Sequence, residues 1–290
     1  MEFDFQQYIQ ERTRAGASPA ADAAGVPYAF GRDAKVMRSL ERAKPVKMAL
    51  EVSHRIERAR LDEILGEAEA ASETRDAKLF ALVGASAKAL GISPPALMIT
   101  QRPGALEIQA LLVDGEPVVL LDRDMVDRFD ETALGFFIGQ QLGHIQNQHL
   151  VFLTTAFALR HLEEAFLGWV VRPANFAIDR WLKLGQLTAD RAGLLACGDL
   201  HAAVEALLKR HAPEAIESPL NIDVILEEAQ ENPKGSLMTG VAQVNKRLPG
   251  RLASLKAFSD SELFRRSKGR DGGQSMTSVD RRVESIIKLW

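Results

Sequence analysis

The sequence has little cysteine and no long run of apolar residues. Its single cysteine, Cys197, excludes a disulfide within the chain and fits a reducing compartment. The longest apolar stretch, 150–159, covers about ten residues, whereas a membrane-spanning helix needs roughly 18 or more. The first residues, MEFDFQQYIQER, lack the basic and then apolar pattern of a secretory signal. We therefore expect a soluble, cytoplasmic protein without a membrane span.

The chain also lacks a surplus of either charge. Its 36 Lys and Arg residues are nearly balanced by 39 Asp and Glu residues, which gives a formal net charge of -3. This balance offers no general attraction for nucleic acid or for an anionic membrane, so neither is expected as a partner. A glycine-rich phosphate loop is lacking as well, because GASAKAL (84–90) does not have the required spacing.

Helical patterns occupy both halves of the chain. Apolar residues at helical spacing predict helices over about 46–69 and 74–90, and the second one ends at Gly91. Helical spacing returns after Asp130, a suitable N-cap, and continues to about residue 212.

Between these helices lie short segments typical of strands. Asp114-Gly115 separates two of them and predicts a hairpin. The predicted strands cover residues 96–101, 106–113 and 117–121. The order of elements predicts an α+β fold that is mostly helical, with a small, mostly antiparallel sheet before the long helices.

We divide the chain into three parts. An N-terminal extension and linker covers 1–34, a single domain covers 35–268, and a linker with a C-terminal amphipathic helix covers 269–290. The apolar face of the last helix would consist of Val279, Val283, Ile286 and Trp290. Two roles are open for the terminal segments: packing onto their own domain, or assembly with a partner or a second copy of the chain.

The helix after Asp130 contains the segment QQLGHIQNQH, from Gln140 to His149. Gln140 and His144 are four residues apart and so lie on one face of the helix. Zinc peptidases place two histidines at this spacing, with a glutamate after the first one as general base. The segment therefore has the frame of H-E-x-x-H, with glutamine in its first two positions.

The surroundings of this segment resemble the HtpX-type and CAAX-prenyl-protease-type family of zinc metallopeptidases, which has a zincin (gluzincin) fold. In that family a strand segment and a hairpin lead to HELGHI and a downstream histidine. The chain has PVVLLDRDMVDRFDETALGFFIGQQLGHIQNQH in the same order, and the family's E-x-x-x-D-R corresponds to QLTADR (186–191). LKAFSDSELFRR (255–266) is similar to the family's closing helix, and the resemblance covers roughly 40–268.

The resemblance assigns a role in the family's zinc site to five residues. The first histidine ligand falls on Gln140, the general base on Gln141, and the glutamate ligand on Gln186, while the second histidine is kept as His144. Asp190 is also kept; in such sites this residue orients a metal ligand without binding the metal itself. Glutamine carbonyls are poor zinc ligands, and an amide cannot take a proton from water. We therefore expect no intact catalytic residue and no bound metal or other cofactor.

The charge of the site supports the same interpretation. Zinc, two glutamates and a neutral histidine sum to about zero, and three glutamines without metal again sum to zero. We predict a catalytically inactive metallopeptidase homologue, a pseudopeptidase, that binds a peptide or protein along the strand at 106–113.

Two alternatives come from other functional classes. One is a zinc-dependent endopeptidase with a shifted ligand set, in which His149 joins His144, although five residues correspond to about 140° around a helix. The other is a structural protein that assembles through its terminal helices into homo-oligomers. Three further histidines, His161, His201 and His211, are expected to face solvent.

Overall fold

A computed structural model describes residues 26–50, 65–101, 107–156, 168–211, 220–233 and 247–288. Its helices and strands are, in chain order, α1 (Gly31–Arg42), β1 (Ala68–Ala70), α2 (Ala77–Leu90), β2 (Ala96–Thr100), β3 (Ile108–Val113), β4 (Glu116–Asp122), α3 (Arg123–Arg128), α4 (Glu131–Gln146), α5 (Gly168–Cys197), α6 (Leu200–His211), α7 (Ile222–Glu231), α8 (Leu248–Ser259), α9 (Glu262–Ser267) and α10 (Met276–Ile287). Residues 44–50 and 150–156 are also helical. His161, Trp290 and the chain before Val26 lie outside the described residues.

The four described strands form one sheet in the order β1-β2-β4-β3. β2 and β4 are parallel, whereas β1 with β2 and β3 with β4 are antiparallel, so the sheet is mixed and two of its three pairs are antiparallel. Asp114 and Gly115 have φ values of 50° and 90°, as a two-residue hairpin turn between β3 and β4 requires. The predicted α+β class and the hairpin are confirmed.

The first predicted helix is wrong at its C-terminal end. Residues 65–66 are helical, but Ala68–Ala70 form the edge strand β1. The segment AEA has low strand propensity, and it is extended because it pairs with Met98, Ile99 and Thr100 of β2. By contrast, the end predicted for α2 is confirmed, since Gly91 closes it in the left-handed conformation with φ 70°.

Helix α4 lies at the centre of the fold, packed against α5 on one side and the sheet on another. Its residues from Ala133 to Gln146 are all buried, so this part of the helix has no polar face exposed to solvent. Two glycines allow the close approach of α5: a Cβ atom at Gly143 would lie 2.5 Å from the Cβ of Ala192, and one at Gly139 would clash with Ala196. This contact brings the C-terminal third of α5 beside the second half of α4.

Both ends of the described chain pack onto this core. Tyr28 and Phe30 are buried, so the packed region begins before the boundary that we placed at residue 35. Val279, Val283 and Ile286 of α10 are buried as well, and α10 packs against α8. The apolar face of α10 is therefore packed within the chain, the first of the two roles that the sequence left open for it.

The polar segment before α10 is held by backbone hydrogen bonds. The amide of Gln274 donates to the carbonyl of Asp260 at 2.8 Å, and the carbonyl of Gln274 accepts from the amide of Glu262 at 2.8 Å. The C-terminal end of this segment, which was expected to be a linker, is thus fixed against the start of α9. In the part of the chain that the structure describes, no helix is long and apolar enough to cross a bilayer.

Candidate functional site

The five residues assigned from the sequence lie together at one cleft. Helix α4 begins at Asp130, whose side chain accepts a hydrogen bond from the amide of Ala133, and it carries Gln140, Gln141 and His144. Helix α5 contributes Gln186 and Asp190 across the close contact made by the two glycines. The structure therefore brings together, from two helices, residues that are separated by as many as 50 positions in the sequence.

Asp190 is the centre of a buried hydrogen-bond network. Its Oδ1 accepts from Nε2 of Gln140 at 2.7 Å and from Nε2 of Gln186 at 3.0 Å. Arg251, on α8, donates from Nη2 to Oδ1 at 2.7 Å and from Nε to Oδ2 at 2.9 Å. An ionised carboxylate only accepts hydrogen bonds, so the amide nitrogens of both glutamines must face it and their carbonyl oxygens must turn away.

Gln141 is bound to the backbone of the sheet. Its Oε1 accepts a hydrogen bond of 2.9 Å from the amide of Ala110, at the centre of β3. Both residues are buried, so the bond satisfies an amide that would otherwise lack a partner. The side chain in the position of the general base is therefore fixed against the strand.

His144 forms a buried chain of polar groups with His149 and Asp33. The Nδ1 atoms of the two histidines are 3.0 Å apart, and Nε2 of His149 is 3.1 Å from Oδ2 of Asp33. Because the pKa of Asp33 is lowered, its carboxylate accepts the hydrogen bond and Nε2 of His149 donates it.

The position of His149 differs from the helical extrapolation. Helix α4 ends at Gln146, and Gln148 adopts a left-handed conformation with φ 61°, which reverses the chain and returns His149 toward His144. Both ring nitrogens of His149 are engaged, one by His144 and the other by Asp33. In this arrangement His149 supports His144 and does not offer a second ligand beside it.

Asp33 also accepts hydrogen bonds from Thr188 Oγ1 at 2.6 Å and Trp181 Nε1 at 2.7 Å. Burial alone would raise the pKa of Asp33, but the charge and hydrogen bond of His149 and these two donors outweigh it, so the pKa is lowered. Burial and repulsion from His149 lower the pKa of His144 to about 3, which keeps its ring neutral near pH 7.

The cleft next to these residues has a volume of about 380 Å³. Its polar inner end is formed by Gln140, Gln141, His144 and Gln186, and Ile108 and Gln109 of β3 lie along one side. Four basic side chains and one acidic one line the rest of its wall: Lys183, Arg210, Arg247, Arg251 and Asp179.

Two residues near the cleft had no recognisable signal in the sequence. Asp33 lies outside the region of resemblance, and Arg251 is one of two basic residues in α8. His211, which we expected to face solvent, is half-buried, with its Nε2 3.3 Å from Nη1 of Arg251. The expectation for His201 holds, because its side chain is 55% exposed.

The residues of the cleft do not fit a zinc ion. Zinc is held in proteins by Cys, His, Asp and Glu, and a catalytic site has three such ligands. In the described ranges, no group of three or more of these residue types is placed to hold a metal ion. His144 is the one such residue among the three ligand positions, and Asp190 is already paired with Arg251.

One comparison with known proteins gives a relative. The chain is 28% identical, over 184 residues, to the plastoglobule-localized metallopeptidase 48, chloroplastic, of Arabidopsis thaliana. The match covers 62% of the chain and 54% of that protein, so the chain spans about half the length of this relative. The similarity supports a relationship to a metallopeptidase family. No family model matches the chain, and no solved structure matches it.

Proposed function

We propose that this chain is a catalytically inactive metallopeptidase homologue whose cleft binds an extended segment of a peptide or protein. The observation that carries the proposal is the buried carboxylate of Asp190, which holds the amides of both Gln140 and Gln186. These two side chains stand where the family places a histidine ligand and a glutamate ligand. In this chain they are joined to each other through a carboxylate rather than through a metal.

Neither of the two groups that hydrolysis needs is available at these positions. A Lewis acid would have to be held by His144 and neutral amides, which are poor ligands for zinc. A general base would have to be Gln141, which has no titratable group and already accepts a hydrogen bond from Ala110.

Glutamine suits a metal-free cleft for an electrostatic reason. A glutamate at 186 would place a second negative charge beside Asp190, and a glutamate at 141 would bury another one in the cleft, with desolvation and repulsion to overcome. Glutamine has nearly the same shape, carries no charge, and supplies the amide hydrogens that Asp190 accepts. The network is thus complete with amides and would be disrupted by carboxylates.

Binding of an extended segment is supported by the position of β3. Among the described strands β3 lies at an edge of the sheet, and it runs into the cleft at Ile108 and Gln109. The amide of Ala110 faces away from β4 because it donates to Gln141, and Ile108, two residues earlier, presents its backbone in the same direction. A bound segment would pair with the Ile108 end of β3, since Gln141 occupies the centre of the strand.

Binding can be tested by selecting displayed random peptides on the purified chain. The matched control is Leu153→Trp, because Leu153 lines the cleft and a larger ring there would fill it. We expect peptides that are enriched on the unchanged chain and not on this variant, with both proteins giving the same circular dichroism spectrum. Equal enrichment on both would show that the cleft is not the binding site.

Inactivity can be tested with a mixture of quenched fluorescent peptides. We expect no cleavage above background with or without added zinc. The triple variant Gln140→His, Gln141→Glu, Gln186→Glu is the control that restores the family's residues. Cleavage by the unchanged chain that a chelator abolishes would contradict the proposal and favour a zinc peptidase with another ligand set.

A further inference from the structure

The inner end of the cleft presents acceptors that have no partner among the described residues. The carbonyl oxygens of Gln140 and Gln186 turn away from Asp190, and no described residue donates a hydrogen bond to either of them. Both glutamines line the cleft, so their carbonyl oxygens can accept from donors of a ligand or from water.

The wall of the cleft is instead rich in positively charged donors. It contains one acidic residue, Asp179, and four basic ones: Lys183, Arg210, Arg247 and Arg251. Arg251 is compensated by Asp190, and Arg210 shares Glu107 with Arg128. Arg247 has a further interaction and is left out of the count. Lys183, Arg251, Arg210 and Arg128 then carry four positive charges against three negative ones on Asp179, Asp190 and Glu107, so a positive surplus remains although the chain as a whole has a net charge of -3. A partly enclosed, basic cleft attracts an anionic group.

Donors at one end and an anion at the other define the ligand. We propose, on the basis of the function proposed above, that the cleft selects an extended polypeptide segment bearing a carboxylate. Backbone N–H groups of the segment meet the carbonyl oxygens of Gln140 and Gln186, and the carboxylate meets the basic wall. An acidic side chain and a free C-terminus carry the same carboxylate, and the experiment below separates them.

Lys183 is the side chain best placed to test the basic wall. It lies on α5 three residues before Gln186, on the same side of the helix, and no described carboxylate is within 4.0 Å of its ammonium group. Because its replacement breaks no ion pair among the described residues, it should leave the fold intact. Lys78, exposed on α2 and remote from the cleft, is a matched control.

The selection of displayed peptides described above is repeated with two libraries, one with a free C-terminus and one with a blocked C-terminus. The amino-acid composition of the enriched peptides is then compared between the two libraries. Enrichment of Asp and Glu in both libraries supports an acidic side chain, and enrichment confined to the free library supports a C-terminal carboxylate. Enriched peptides that are neutral or basic overturn this inference and leave the proposed function standing. No enrichment over Leu153→Trp removes the proposed function as well.

The selected acidic peptide is then measured by fluorescence anisotropy on two variants. We expect Lys183→Glu to weaken its affinity about tenfold, and Lys78→Glu to leave it unchanged. The affinity for the unchanged chain should also fall as salt is raised, since charges near the surface are screened within about 10 Å at 0.1 M. Equal affinities for the two variants, or an affinity independent of salt, would overturn the inference.

Discussion

Replacing Asp190 with alanine should cost a large part of the stability of this protein. Asp190 is 1% exposed and Arg251 is 8% exposed, and two hydrogen bonds join them. Removing one partner of a buried ion pair leaves an uncompensated charge and typically costs about 3–5 kcal/mol. The amide nitrogens of Gln140 and Gln186 would lose their acceptor as well. We expect a loss of about 4 kcal/mol in the free energy of unfolding, against a typical total of about 5–15 kcal/mol.

The loss can be measured by urea unfolding followed through tryptophan fluorescence, because Trp181 is fully buried near the network. Asp223→Ala is the matched control: Asp223 pairs with His201 at 3.0 Å, but its side chain is 73% exposed. An exposed pair of this kind contributes about 0–1 kcal/mol. If Asp190→Ala were no more costly than Asp223→Ala, the network would not have the role that we give it.

A double variant separates the charge from the space that Asp190 fills. Asp190→Leu together with Arg251→Met removes both charges and keeps apolar volume, and such replacements of buried pairs are often neutral or stabilising. We expect it to be more stable than Asp190→Ala. A double variant at least as unstable as the single one would contradict an electrostatic origin of the loss.

Two further predictions concern neighbours of the network. Gln141→Leu should leave the amide of Ala110 without an acceptor, at about 1–3 kcal/mol, and should speed its hydrogen exchange; unchanged exchange at Ala110 would contradict the bond. Burial, with repulsion from Arg251 and Arg210, lowers the pKa of His211 from 6.5 to about 4, although Glu107 and Asp190 oppose the shift. As the pH is lowered, the unfolded chain therefore binds this proton before the folded protein does. The free energy of unfolding should fall as the pH is lowered from 6.5 to 4, by up to about 1.4 kcal/mol per pH unit. His211→Gln should reduce this slope in pH-dependent unfolding and His201→Gln should not; equal slopes would contradict the burial of His211.

The parts of the fold that could be predicted are those with a local cause. Gly91 ends α2 and Asp114-Gly115 turns the hairpin because left-handed backbone conformations are needed there. Strand β1 could not be predicted, because the extended shape of AEA depends on pairing with β2. The short helix α3 was missed for a similar reason: six residues carry too little periodicity to identify it.

The candidate site divides in the same way. The residues at 140, 141, 144, 186 and 190 could be found from their spacing and from the family resemblance. Arg251 and Asp33 could not, because they reach the site through contacts across 61 and 116 positions, with Asp190 and His149 respectively. The position of His149 depends on one left-handed residue, Gln148, which ordinary helical extrapolation does not anticipate.

The central claim is that amides joined by Asp190 have taken the place of a metal site. Its most direct test is the zinc content of the purified full chain, by mass spectrometry, after exposure to excess zinc and desalting. The variant Gln140→His, Gln141→Glu, Gln186→Glu, which restores the family's ligand types, is measured beside it. We predict less than about a tenth of an equivalent in the unchanged chain and about one equivalent in the variant. About one equivalent in the unchanged chain would contradict the claim, because other residues would then have to complete a metal site around His144.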